Sequence, residues 1–360
     1  MSGRTVEKFT LALIVSLAGS AFSASDAPLT PAVSLASLSV QRVFRETIPS
    51  VSDYSQTAHS QAKAVTIESD RALASPICGA TICGPNSNWV MWDTPFLQFD
   101  RITGDAGNFG HDFRSSGFAT GISRLFGEYK TLGLAIGYDE RTLKGKGDIH
   151  RRGKGDAFHA ALYGGAGAGN FFLDAYAGFS WTSQRTDRWS FAPAGRSHGN
   201  YNDVILSGGL RASYVWCLEN EVRITPHLGF DYARLHNNQY TESNGSFVEK
   251  NSFNSAQLPI GVAVNRTFAT GFLSPGANQT LLTPEIRAAF IPQFGSRSVR
   301  NEWSGGDPAA ARKTGRFPVA IGAGLKVQIN DRFILAVDYD CRFAKNYTSQ
   351  VVTGTYGISF

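Results

Sequence analysis

The sequence predicts an all-β fold: a transmembrane antiparallel β-barrel of about twelve strands, preceded by a short N-terminal segment. Three observations predict it. From about Trp89 to the end, apolar residues recur at every second position in segments of roughly ten residues, the period of a strand with one apolar face. Glycine is frequent at 38 residues, methionine rare at two, and the 18% of charged residues come without the long apolar runs of a helical membrane protein. Tyr138, Trp216, Tyr232 and Tyr339 fall at the ends of apolar faces, where a membrane barrel carries its interfacial aromatic girdles. With 42% hydrophobic residues in 360, neither a disordered chain nor a disulfide miniprotein fits. The net charge of +5 is spread over loop-like stretches rather than gathered into a nucleic-acid-binding face.

The first element is a targeting segment. Arg4 and Lys8 precede the apolar run Phe9 to Ala18, and the small residues Gly19 to Ala24 follow, the layout of a secretory signal peptide over residues 1–23. Ala21 and Ser23 suit the −3 and −1 positions of the cleavage site. Export implies an oxidising compartment, where Cys78 and Cys83 are near enough in sequence to close a small disulfide loop. Cys217 and Cys341 are expected to be free. In residues 24–86, Ala58, Ala62, Ala64, Ala72 and Ala74 stand among Gln, Ser and charged residues. That composition suits a slender polar helix inside a barrel lumen, and equally a disordered linker.

The barrel follows over 87–360. Its predicted strands are 88–101, 115–126, 128–143, 155–167, 170–185, 201–217, 220–236, 250–267, 279–294, 314–329, 331–345 and 347–360. In the third, Leu132, Leu134, Ile136 and Tyr138 oppose Gly133, Ala135, Gly137 and Asp139. In the seventh, Val222, Ile224, Leu228, Phe230 and Tyr232 oppose Arg223, Thr225, His227, Gly229 and Asp231. Short turns are expected near Gly127, Ala168, Leu218 and Asp331. Long polar loops are expected near 102–114, 144–154, 186–200, 237–249 and 295–313, so that one rim carries turns and the other loops. A longish connection at 268–278 and a short one near Lys345 break the alternation.

Ionisable residues on the second faces are lumen-lining candidates: Asp139, Asp174, Arg211, Arg223, His227, Asp231, Glu285, Arg287, Lys326 and Asp338, with Asp340 beside them. In hydrocarbon they would be costly, so their alternation argues for a wet interior in which they pair. In the last strand Val352, Tyr356, Ile358 and Phe360 share one face, the pattern that outer-membrane assembly machinery reads in many barrels. No catalytic, metal-binding or cofactor-binding set is expected. The histidines, His150 and His198 in loops and His159 and His227 on strands, sit in no signature that fixes a role, and Asp231 and His236 fall on opposite faces.

The order of segments resembles the C-terminal translocator barrel of the autotransporter, or type V secretion, family. The resemblance runs over about 87–360. It is carried by Tyr129 to Tyr138, Phe158 to Gly164, Phe172 to Gly178, Leu206 to Ala212, Ile224 to Tyr232 and Leu282 to Phe290. The Thr-Pro pairs at 225–226 and 283–284 are its most specific pieces, placed near strand starts where proline is tolerated. It implies a twelve-strand outer-membrane pore that anchors or translocates its own N-terminal segment, with a helix through the lumen. Two features depart from it. The sixty or so residues between signal and barrel are too few for a β-helical passenger, and Asn86 and Asn88 are separated by Ser87 where a paired cleavage signal is expected. The other functions weighed are a porin-like or structural surface barrel without secretion, and a barrel hydrolase. Expected partners are outer-membrane lipid and the barrel assembly machinery, with no nucleic acid and a monomeric state. Lipopolysaccharide joins them through the basic stretch Lys144 to Lys154, read as an outer loop.

Overall fold

The structure, a computed structural model, describes residues 89–103, 111–126, 130–146, 151–191, 194–218, 222–245, 247–248, 250–270, 280–295, 317–329 and 333–360. The expected signal peptide, the segment 24–86 and the Cys78–Cys83 pair lie outside these residues. What is described is a closed antiparallel barrel of twelve strands.

In chain order the strands are β1 (Trp89–Ile102), β2 (His111–Leu125), β3 (Lys130–Gly145), β4 (Arg151–Ala168), β5 (Phe171–Phe191) and β6 (Ala194–Tyr214, continued by Trp216–Cys217). They are followed by β7 (Val222–Asn237), β8 (Asn251–Gln257, Ile260–Arg266 and Phe268–Thr270) and β9 (Thr280–Phe290 and Gln293–Gly295). The last three are β10 (Val319–Ile329), β11 (Phe333–Ala344) and β12 (Tyr347–Ser359). Each pairs with its neighbours in sequence, and β12 returns to β1, so no strand is left with an unpaired edge. Closure is complete at the chain's end: Trp89 N–H donates to Phe360 O at 3.2 Å and Phe360 N–H to Trp89 O at 3.0 Å.

Period-two alternation is visible in burial. On β3 the outward Leu132, Leu134, Ile136 and Tyr138 are exposed, while Ala135 and Asp139 are buried. Exposed large apolar residues recur on the outward face throughout, from Trp89 and Met91 to Tyr356 and Phe360. Such a surface is tolerated in hydrocarbon and would aggregate in water. Trp216 and Tyr232 end their apolar faces as expected, whereas Tyr339 is followed toward the outer end of β11 by Phe343.

Prolines show how the ring tolerates residues that cannot donate. The β1–β12 ladder skips from Asp93↔Tyr356 to Phe96↔Thr353, with Pro95 in the gap. Between β6 and β7 it skips from Ser213↔His227 to Trp216↔Ile224 at Pro226, and between β8 and β9 from Asn265↔Glu285 to Phe268↔Leu282 at Pro284. Each proline lies where a backbone donor would find no partner. Threonine hydroxyls bridge two of the gaps: Thr94 Oγ1 to Thr355 Oγ1, and Thr267 Oγ1 to Thr283 Oγ1, both at 3.0 Å. Pro259 and Pro292 break β8 and β9, each at one level, which the predicted continuous strands 250–267 and 279–294 did not anticipate.

The strands also rise further than predicted. Residues 151–154 belong to β4, and 186–200 are mostly ladder rather than loop: β5 and β6 pair without a break from Phe171↔Tyr214 to Phe191↔Ala194. Above the membrane both faces of a hairpin are wet, so no apolar alternation marks it in sequence. Its hydrogen-bond ladder holds it instead, helped by stacking of Tyr201 on Tyr240 at 4.8 Å and by Ser197 donating to Glu242 at 3.0 Å. The connections at Gly169-Asn170 and Lys345-Asn346 are tight, with Gly169 at φ 58° and Asn346 at φ 63°, in the left-handed region that Gly and Asn adopt most readily.

Candidate functional site

The inner wall is the candidate site. Its lower part, on β1 to β5 near the short-turn rim, is not wet. Trp92, Ala119, Ala135, Ala161 and Tyr163 form a buried cluster with Tyr176 packed against it. Trp92 Nε1–H donates to Tyr163 Oη at 2.7 Å, and Ser123 Oγ lies 2.6 Å from the same oxygen. Gly121 and Gly133 make room for the rings: a Cβ on Gly121 would meet the Trp92 indole at 2.6 Å. Alternation alone reads these small residues as a wet face, because the rings that cover them come from other strands.

Above this cluster an ionic network spans β2 to β5. Asp139 is fully buried and accepts from Ser115 Oγ at 3.0 Å, from Arg141 Nε at 2.6 Å and from Arg141 Nη2 at 2.9 Å. His159 Nε2 lies 2.6 Å from Asp139 Oδ1, and His159 Nδ1 lies 2.6 Å from Ser180 Oγ. Ser, His and Asp thus stand in the order of a hydrolytic triad. All three have 0% exposure and Arg141 occupies both carboxylate oxygens, so the arrangement offers no face to a substrate. Its chemistry is that of a clamp tying adjacent strands together.

A second network lies six strands away round the twelve-strand ring, on the opposite wall. Arg287 donates through Nε and Nη2 to Asp340 at 2.9 and 2.6 Å, and through Nη1 to Asp338 at 2.7 Å and to Glu285 at 3.3 Å. Asn265 Nδ2 caps Glu285 Oε2 at 3.0 Å. The fork crosses β10 where Gly322 and Gly324 leave space, since a Cβ on Gly322 would stand 2.8 Å from Arg287 Nε. One guanidinium thus faces three carboxylates, with Lys326 on the same face of β10.

Of the residues expected to line the lumen, Glu285, Arg287 and Asp338 are brought together with Asp340, and Asp174 reaches Arg211 at 3.5 Å. Asp139 is bound by Arg141 and His159 and by none of the other candidates. Asp231 receives Tyr176 Oη at 3.4 Å, Arg223 is buried, and His227 lies half-buried beside Gly261. Lys326 is half-buried on β10, on the same face as Gly322 and Gly324. Arg141, Ser115, Ser180 and Asn265 are functional partners that sequence reasoning missed. Arg141 at two residues beyond Asp139 on the same face was the one available signal.

Among the described cysteines, Cys341 is free as expected. Cys217 is not: it is disulfide-bonded. Spacing could not foresee this, because a disulfide depends on Cα proximity in the fold rather than on distance along the chain. Val352, Tyr356, Ile358 and Phe360 stand on the outward face of β12, with Tyr356 and Phe360 exposed. Beyond the membrane-spanning part, Arg196 Nε donates to Asp187 Oδ1 at 2.7 Å and Nη2 to Asp187 Oδ2. This pairing holds the Asp187 carboxyl below the ordinary aspartate range and pushes the Arg196 guanidinium up.

Comparison with known proteins agrees with the ring. Outer membrane protein B of Rickettsia typhi is 22% identical over 288 residues, 76% of this chain and 17% of its own length. The Rickettsia rickettsii protein of that name is 24% identical over 309 residues, 80% of this chain and 18% of its own. The chain therefore spans under a fifth of the curated relatives it matches. Among solved structures, the β-domain of the Bordetella autotransporter BrkA superposes with a TM-score of 0.59 at 17% identity, covering 76% of this chain and all of that one. The translocator domain of NalP from Neisseria meningitidis gives 0.59 at 14% identity, covering 84% and 94%. The family model described as the autotransporter β-domain matches residues 91–340, most of the described barrel. With its closed twelve-strand ring and apolar outer belt, this chain belongs to the autotransporter β-domain family and resides in the outer membrane.

Proposed function

We propose that the barrel anchors a segment N-terminal to it in the outer membrane and gives that segment its route to the cell surface. The observation that carries this reading is the closed ring with a mostly polar upper inner wall, matched over residues 91–340 by the autotransporter β-domain. The work is physical rather than catalytic. Closure satisfies the strand hydrogen bonds, the outer belt holds the ring in lipid, and charged side chains offer polar contacts to a peptide backbone passing or resting inside. Residues 1–23 would direct export and 24–86 would be the segment carried, as a lumen helix or an extended linker. The outward Tyr356 and Phe360 at the seam support delivery by the barrel assembly machinery, and basic side chains above the apolar belt support contact with lipopolysaccharide. The barrel acts as a monomer in this reading.

Extracellular protease applied to intact cells tests it, with cleavage sites introduced at positions in 24–85. Cleavage from outside supports translocation. Protection in intact cells, with cleavage after permeabilisation, would overturn it. Planar-bilayer conductance with and without residues 40–85 separates a plugged translocator, whose current rises on deletion, from a passive barrel, whose current does not change.

A further inference from the structure

We infer that Lys144, Arg152, Lys154 and Arg185 form a binding site on the outer wall for the phosphates of a glycolipid in the outer leaflet. The inference rests on the membrane placement above and gives its lipid contact a location. On β3, β4 and β5 the large apolar outward residues Tyr138, Phe158 and Trp181 are all exposed and placed side by side by the registers Tyr138↔Phe158 and Phe158↔Trp181, and none of that kind stands between them and the basic positions. Two outward steps further along each strand, on the order of 10 Å up, the headgroup level begins.

Register places Lys144 opposite Arg152 on β3 and β4, and Lys154 opposite Arg185 on β4 and β5. All four are exposed on the same outward face. Like charges directly across a strand pair repel, so two adjoining pairs of this kind call for an anion between them. The barrel supplies two carboxylates at the edges of this group, and both are already engaged: Asp112, opposite Lys144, lies 2.6 Å from Lys146 Nζ and 3.4 Å from Arg101 Nε, and Asp187, opposite Arg152 and within the field of Arg185, has both oxygens engaged by Arg196. Among the described residues none of the four forms an ion pair of its own. Glu140 and Asp156 face each other one outward step below, next to the aromatic residues, and Asp156 accepts from Tyr138 Oη at 2.9 Å. The acidic step keeps phosphate from sinking toward the belt, and the basic step above it receives phosphate.

The occupant is a phosphorylated lipid rather than a soluble anion, because the site stands directly above the apolar belt, where acyl chains pack against Phe158 and Trp181 while a headgroup reaches Lys154 and Arg185. Across β3 to β5 the four side chains cover two interstrand spacings, about 10 Å, wide enough for two phosphates on one headgroup. The strands fix these positions. In a loop the same residues would scatter, and the ladder from Arg151↔Arg188 downward keeps them in one plane.

The test uses the full chain folded in detergent and measures lipid retained in native mass spectrometry, with diphosphorylated lipid A and the same lipid after removal of both phosphates. The wild type is expected to retain the phosphorylated lipid roughly tenfold better. The variant K144Q/R152Q/K154Q/R185Q is expected to lose that preference, and Lys130→Gln at the opposite rim to keep it. Equal retention of the two lipids by the wild type, or an undiminished preference in the fourfold variant, would overturn the site. Should the fourfold variant fail to fold, K154Q/R185Q and the wild-type comparison decide it. Inorganic phosphate at equal concentration should not compete. A barrel that keeps the lipid preference but never exposes residues 24–85 refutes translocation alone.

Discussion

Replacing Asp139 with alanine should destabilise the barrel more than any other single change on its inner wall. Asp139 and Arg141 expose 0% and 1% of their side chains, so the substitution takes from a buried guanidinium both of its hydrogen bonds to this carboxylate and its neutralising charge. Removing one partner of a buried ion pair costs about 3–5 kcal/mol, because the remaining charge stays buried without its counter-charge. Ser115 and His159 lose a partner as well, and each adds to the cost. A loss of about 4 kcal/mol lowers the folded-to-unfolded ratio roughly a thousandfold. Denaturant unfolding of the chain refolded into lipid vesicles, followed by tryptophan fluorescence and by the gel shift between unheated and boiled samples, would measure it. The control is Asp139→Leu with Arg141→Met, which removes both charges and should recover most of the loss. If alanine alone stays within about 1 kcal/mol of wild type, or the double variant is no more stable than the single one, the clamp does not hold the wall together.

Three further outcomes follow from the same geometry. Gly322→Val should destabilise the opposite wall by about 1–3 kcal/mol, since its side chain would overlap the Arg287 fork, whereas Gly354→Ala, where a Cβ meets nothing within 4 Å, should be neutral or slightly stabilising; chemical denaturation reads both. Gly121→Ala should be costly by the same measurement, because its Cβ would meet the Leu134 backbone oxygen at 2.8 Å, an atom that moves only with the sheet. Asp187 has a depressed folded pKa, so its contribution is present above the unfolded aspartate value of about 3.9 and disappears as pH falls through the lower folded value. Hydrogen exchange in the β5–β6 hairpin should therefore stay protected from pH 7 to about pH 4 and loosen only below; loosening already near pH 5 would show that Arg196 does not hold it.

Sequence reading reached the ring because lipid imposes a simple rule on one face. Leu132, Leu134, Ile136 and Tyr138 had to point outward, and all are exposed there. It placed Glu285, Arg287 and Asp338 on the inner face but did not join them, since their meeting depends on how β9, β10 and β11 stagger. It misread residues 186–200 as a loop and Cys217 as free, in each case because no apolar period or spacing carries the information.

The sequence by itself determined the class of fold and its membrane side. A two-residue period with one greasy face admits a closed barrel, and the outward residues need only be apolar, whichever neighbour they have. The inner wall was decided by tertiary structure. There, hydrogen bonds and ion pairs require particular atoms to come within about 3 Å, and only strand register and closure bring Asp139 to His159 or Arg287 to Asp340.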